Sequence, residues 1–214
     1  AGMVSEATLA GTVYTLEAPC AVGRSQVFAP AAAFALAHAL GMKPASALKG
    51  LRTYEPPSGR GKILTGIQGA TLIDDTYNSS PAAVEEVLAS FPSIEASRRI
   101  AVLGDMLELG RYSVSEHERI GRLAATYADV IVTVGARAQA LASAARAEGK
   151  KEVYEYPDSY AAAPKVKEML RGGDLVLIKG SQSMRMERIT EALLQHPEDT
   201  VKLVRQENEW KEKR

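Results

Sequence analysis

Three short polar stretches hold nearly all the side chains of this sequence that could do chemistry. The first is Asp74-Asp75-Thr76-Tyr77-Asn78-Ser79-Ser80. The second is Gly104-Asp105-Met106-Leu107-Glu108-Leu109-Gly110, and the third is Lys179-Gly180-Ser181-Gln182-Ser183-Met184. Two of them offer carboxylates. The third offers an ammonium, two hydroxyls and the N–H groups of a helix start. Brought together, they suit an anionic ligand, either a carboxylate or a phosphate.

Each stretch follows an apolar run that reads as a strand: 70–73, 99–103 and 174–178. After the first, Ser80 suits an N-cap and Pro81 the first helical position. The helix behind it, residues 81–91, places Val84, Val87, Leu88 and Phe91 on one face. Further along, the spacing predicts a hairpin of 63–67 and 70–73 around Gln68-Gly69. A helix over 113–127 follows, with a capping box from Ser113 to Glu116. The pattern continues as a strand at 129–134, a helix at 136–147, a short strand at 152–156, a helix at 157–170 and a helix at 184–194. A final strand is expected at 200–206 and a charged, solvated tail from 207 to 214. Strands alternating with helices define an α/β fold, a doubly wound and mostly parallel sheet with helices on both faces. In such a sheet the three polar turns share one edge, the carboxyl ends of the strands, where ligands bind.

The boundary lies at Glu55-Pro56-Pro57-Ser58-Gly59-Arg60-Gly61, a turn or linker by composition. Before it come one or two strands within 8–21, an apolar helix over 28–40 and a short helix over 45–51. Residues 1–54 thus read as the end of a larger domain and residues 55–214 as a second domain.

Composition narrows the function. The chain has 214 residues, 46% hydrophobic and 24% charged, which allows a packed core. With 26 basic and 26 acidic side chains there is no electrostatic footprint for nucleic acid or an anionic membrane. Cys20 is the single cysteine, and the three histidines, His38, His117 and His196, lack metal-ligand spacing, so no metal site is expected in this chain. No signal-peptide pattern and no run long enough for a membrane span are visible, which fits a cytoplasmic protein. Neither Gly-x-x-x-x-Gly-Lys-Ser/Thr nor a strand-borne Gly-x-Gly-x-x-Gly is present, so nothing here cradles a triphosphate alone.

Read jointly, Ile73 to Pro81, Val102 to Gly110, His117-Glu118-x-x-Gly121 and Val176 to Glu187 resemble the C-terminal domain of the Mur ligases. Within that family the resemblance is nearest to the members that add D-alanyl-D-alanine to UDP-N-acetylmuramoyl-tripeptide in peptidoglycan synthesis. It implies a chain that carries the C-terminal domain and, in residues 1–54, the last part of the central ATPase domain. The P-loop and the magnesium-binding carboxylate would then belong to an N-terminal portion outside this sequence. It implies ATP and Mg²⁺ as cofactors, and an acyl phosphate formed from the peptide carboxylate before amine attack. Residue by residue, Asp75 resembles the carboxylate that holds the ATP ribose, and Arg60 the hinge arginine that reaches the phosphates. Tyr77 and Asn78 would meet the nucleotide. Ser183, with Lys179 and Ser181, resembles the turn that positions the incoming dipeptide. Asp105, Glu108 and His117 carry structural roles, and no residue is assigned a catalytic one.

The sequence departs from the family at Gly23-Arg24-Ser25-Gln26-Val27-Phe28-Ala29, where Gly-x-His-Asn-x-x-Asn is usual, and at Gln182, where arginine is common. These changes keep open a second function, a non-catalytic binding or regulatory module derived from such a domain. A stand-alone doubly wound small-molecule binder is the third.

Overall fold

The computed structural model describes residues 2–212. The chain opens with an antiparallel hairpin, β1 (Gly2–Leu9) and β2 (Thr12–Pro19), backed by α1 (Phe28–Ala39) and α2 (Pro44–Leu51). Leu16, Phe34 and Ala47 form its small core, with Tyr14 tilted against Phe34. This core covers only part of α1. Phe28, Leu36 and Leu40 stay exposed, at 71%, 62% and 78%.

The hairpin unit joins the rest through backbone bonds. Val22 N–H donates to Gly61 O and Ile63 N–H to Cys20 O, both at 2.9 Å, so residues 20–22 pair with the edge of a six-stranded sheet. That sheet runs β3 (Lys62–Thr65), β4 (Thr71–Asp75), β8 (Asp174–Lys179), β5 (Arg98–Gly104), β6 (Val130–Val134), β7 (Val153–Tyr156). Only β3 is antiparallel to its neighbour. The predicted α/β class is the one found.

The crossovers decide which helix lies where. From β4 the chain passes through α3 (Pro81–Ala89) to β5, then through α4 (Ser113–Tyr127) to β6 and α5 (Ala138–Ala147) to β7. These steps move one way along the sheet, so right-handed connections put all three helices on one face. The chain returns through α6 (Ser159–Met169) to β8, and this reversed step puts α6 and then α7 (Glu187–Leu193) on the other face. The two hydrophobic clusters follow. Ile73, Ala101, Leu103 and Leu177 pack under α3–α5, while Leu72, Val102, Val176 and Ile178 pack under α6 and α7. Val84, Val87, Leu88 and Phe91 are buried as their spacing required. Gly121 shows why α4 needs a glycine: a Cβ there would stand 2.2 Å from the Leu141 carbonyl oxygen of α5.

Four local expectations fail for identifiable reasons. The Ser113–Glu116 capping box does not form. A 3-10 turn over Gly110–Tyr112 runs straight into α4, so Ser113 is already helical at φ −54° and ψ −50°, and Glu116 pairs with Arg119 instead. The helix expected over 184–194 is broken at Arg185, whose left-handed φ of 54° separates a 3-10 turn, Gln182–Met184, from α7. Residues 200–206 add no strand; Pro197–Lys202 coil into a 3-10 helix with Thr200 Oγ1 donating to Pro197 O. The tail is not simply solvated. Asn208–Glu212 forms a short helix, α8, and Trp210 lies against the guanidinium groups of Arg185 and Arg205, at 5.4 and 5.8 Å. Residues 213 and 214 of that tail lie outside the described range. Among the described residues no helix is long and apolar enough to cross a membrane.

Candidate functional site

The site begins with two adjacent aspartates whose side chains must point to opposite faces of β4, because successive strand residues alternate. Asp75 shares the face of Ile73, toward α3. Its register partner on the parallel neighbour β8 is Lys179. Both stand at the carboxyl ends of their strands, and Lys179 Nζ donates to Asp75 Oδ2 at 2.6 Å and to the Asn78 carbonyl at 2.9 Å. The lysine side chain is 3% exposed and the aspartate 16%. A short, largely desolvated pair of this kind is stronger than one in water, and it fixes the turn that follows β4. Lys179 engages one carboxylate oxygen and leaves Oδ1 for a ligand.

Asp74 points the other way, toward α7, is fully buried, and makes no ion pair among the described residues. It accepts from Thr76 Oγ1 at 2.7 Å, Thr190 Oγ1 at 3.2 Å and Gly59 N–H at 3.0 Å. Burial pushes its carboxyl up to about 6, against the pull of those three donors. Asp74 thereby ties the linker to the strand end. Gly59 approaches so closely, at φ +67°, that a Cβ would stand 2.8 Å from Tyr77 N. Tyr77 N–H closes the clasp on Gly59 O at 3.1 Å. The next residue, Arg60, is then held over the Tyr77 ring, 3.9 Å from its centroid.

These constraints shape a pocket of about 160 Å³. Its sheet side is Arg60, Asp75, Asn78, Ser79, Ser80 and Lys179, at the start of α3; its far wall is Gly23, Ser25 and Gln26 of the hairpin unit. Glu86 on α3 joins the walls by accepting from Ser25 N–H at 2.6 Å. Ser79 Oγ, in the same lining, is buried and lacks a hydrogen-bond partner among the described residues. Two carboxylates, two cations, two side-chain amides and an unsatisfied hydroxyl can receive a polyol and an anion side by side.

Of the residues predicted from sequence, Arg60, Asp75, Asn78 and Lys179 line this pocket, and Tyr77 lies beneath Arg60. Lys179 therefore sits with the residues assigned to the nucleotide, apart from Ser183. Ser183 is exposed on the 3-10 turn beyond β8. Ser181 is 3% exposed, and its hydroxyl accepts from Leu107 N–H at 2.8 Å while its own N–H donates to Asp105 O at 3.0 Å. It locks the second turn to the third. Asp105 caps α5 by accepting from Ala138 N–H at 2.8 Å. His117 receives Met106 N–H on Nε2 at 3.0 Å and reaches Ser113 O from Nδ1 at 2.7 Å, so its proton is on Nδ1 and the ring braces the same turn. Asp74 and Ser79 stood in the first polar stretch without a role of their own, and Glu86 was not singled out from the sequence. Only the alternation of faces at Asp74-Asp75 could have flagged one of them.

Fold and pocket define a doubly wound α/β domain with a polar pocket at the carboxyl ends of the parallel strands. A family model described as "Mur ligase, glutamate ligase domain" matches residues 59–182, and the chain belongs to this Mur ligase family. It is 30% identical over 179 residues to the UDP-N-acetylmuramoyl-tripeptide–D-alanyl-D-alanine ligase of Bacillus subtilis, a match covering 82% of this chain and 39% of that one. The Escherichia coli ligase of the same name is 30% identical over 197 residues, covering 86% and 42%. Among solved structures, MurF from Acinetobacter baumannii superposes with a TM-score of 0.76 at 26% identity, covering 90% of this chain and 42% of that one. MurF from Thermotoga maritima, solved in complex with ADP, shares the fold with a TM-score of 0.74 at 22% identity over 92% and 43%. The chain thus spans about two fifths of the length of these relatives.

Proposed function

We propose that this chain is the C-terminal portion of an ATP-dependent amide ligase that adds D-alanyl-D-alanine to UDP-N-acetylmuramoyl-tripeptide in the cytoplasm. In this reading residues 1–54 are the end of the central ATP-binding domain and residues 55–214 the C-terminal domain. The observation that carries it is the Asp75–Lys179 pair, with Arg60 and Asn78, in one pocket of a Mur ligase domain. The pocket suits the ribose and the adjoining phosphate of ATP. Asp75 Oδ1 accepts ribose hydroxyls, Lys179 holds that carboxylate in place, and Arg60, on the linker, meets phosphate oxygens. ATP supplies the phosphoryl group that activates the peptide carboxylate, as an acyl phosphate, for attack by the amine. In this reading Mg²⁺ is held mainly by the portion that bears the P-loop, and no step is routed through it on this chain. Ser183, exposed on the 3-10 turn beyond β8, is where the dipeptide would be met.

Phosphate release with ATP, Mg²⁺, UDP-N-acetylmuramoyl-tripeptide and D-alanyl-D-alanine tests this. The chain alone gives background only. Addition of a separately folded portion bearing the P-loop restores turnover, and the Asp75→Asn variant lowers it. Continued silence with both portions folded favours the second reading, a non-catalytic binding module. That reading draws support from the far wall, where Ser25 N–H is already bound to Glu86 and Gln26 Oε1 accepts from Tyr54 OH at 3.4 Å.

A further inference from the structure

The turn after β4 has three successive carbonyls on cations. Asn78 O is held by Lys179 from within the pocket. The other two are held from behind by one residue: Arg205 Nη1 donates to Thr76 O at 3.1 Å, and Nη2 to Tyr77 O at 2.7 Å. Arg205 comes from the coil beyond the Pro197–Lys202 helix, 128 residues after Tyr77, with a left-handed φ of 59°. Its side chain is 5% exposed. Nη1 also donates to Glu187 Oε2 at 2.9 Å, while Glu187 Oε1 accepts from Arg185 Nε at 2.6 Å, and the Trp210 indole lies 5.8 Å away. Arg205 Nε, also buried, has no partner among the described residues.

A buried ionic cluster is a poor way to gain stability, because apolar side chains of similar volume do as well. Its use here calls for a geometric role. A planar guanidinium with parallel N–H groups can set two consecutive carbonyls in one orientation, which a lysine cannot do. We propose that Arg205 is the positioning residue of the pocket. It acts through the Thr76 and Tyr77 carbonyls to hold Asp75 and Asn78 where a ligand meets them. The inference uses the nucleotide reading above only for the affinity half of its test.

The test compares the full chain with Arg205→Met and Arg205→Lys, by amide hydrogen exchange and by ADP titration. In Arg205→Met, exchange of the Tyr77 N–H, which is bonded to Gly59 O, rises about tenfold or more while amides of β5 and β6 keep their protection. ADP affinity falls about tenfold in the same variant, and Arg205→Lys, reaching one carbonyl, lies between. If Arg205→Met does not fold, Arg205→Lys alone must show the loosened turn with protected β5 and β6. Unchanged exchange at Tyr77 in a folded variant overturns the proposal, as does faster exchange spread evenly over the sheet. If the unsubstituted chain takes no ADP, the nucleotide reading fails, and the exchange data still decide the role of Arg205.

Discussion

Replacing Asp74 with asparagine should make the protein relatively more stable as pH rises. The carboxyl is fully buried, and burial lifts it from an ordinary 3.8 to about 6. Below 3.8 it is protonated in both the folded and unfolded chains, and pH has no leverage. Between 3.8 and 6 the folded chain keeps a proton that the unfolded chain has released, so stability falls as pH rises. Above 6 both are ionised, and folding carries the full cost of burying the charge. At about 1.4 kcal/mol per pH unit this cost is about 3 kcal/mol. Asparagine removes it while preserving the contacts: its oxygen accepts Gly59 N–H, and its amide donates to the Thr76 and Thr190 hydroxyls, which rotate to suit. Urea denaturation of both proteins at pH 4 and pH 8 reads the effect. Between pH 4 and pH 8 the stability of Asp74→Asn relative to the unsubstituted protein should climb by about 2.5 kcal/mol, nearly all of it below pH 7. A difference that is flat, or that falls toward pH 8, would refute the reasoning.

Three further outcomes follow from the same structure. Gly121→Ala drives a methyl into the α5 backbone and should cost about 3 kcal/mol in urea denaturation, without changing ADP affinity of the folded protein. Arg98→Ala strips Asp174, which is 1% exposed, of its paired guanidinium, and should cost about 3–5 kcal/mol by thermal or chemical unfolding. Lys179→Met leaves Asp75 without its cation and should abolish detectable ADP binding while far-UV circular dichroism stays unchanged.

The layered fold was legible because period and punctuation agreed along most of the chain. Ser80-Pro81 marked the start of α3, and Ala83 N–H does donate to Ser80 Oγ. The faces of Asp74 and Asp75 were also legible in principle, from alternation alone. Their partners were not. Lys179 meets Asp75 only because β8 inserts between β4 and β5, a strand order that local pattern does not encode. Arg205 sat in a stretch that reads as a strand, and the two carbonyls it holds lie more than 120 residues away. The failed capping box has a local cause that the pattern hid, since the preceding 3-10 turn had already committed Ser113 to the helix.

The central claim is that Asp75, Asn78, Lys179 and Arg60 receive one ligand, a nucleotide, in one pocket. The most direct measurement is an ADP titration of the isotope-labelled chain, followed by backbone and side-chain nuclear magnetic resonance. Shifts gathered on residues 75–80, Arg60 and Lys179, and lost in Asp75→Asn, are the predicted result. Shifts centred elsewhere, or identical titrations for the two proteins, would contradict it.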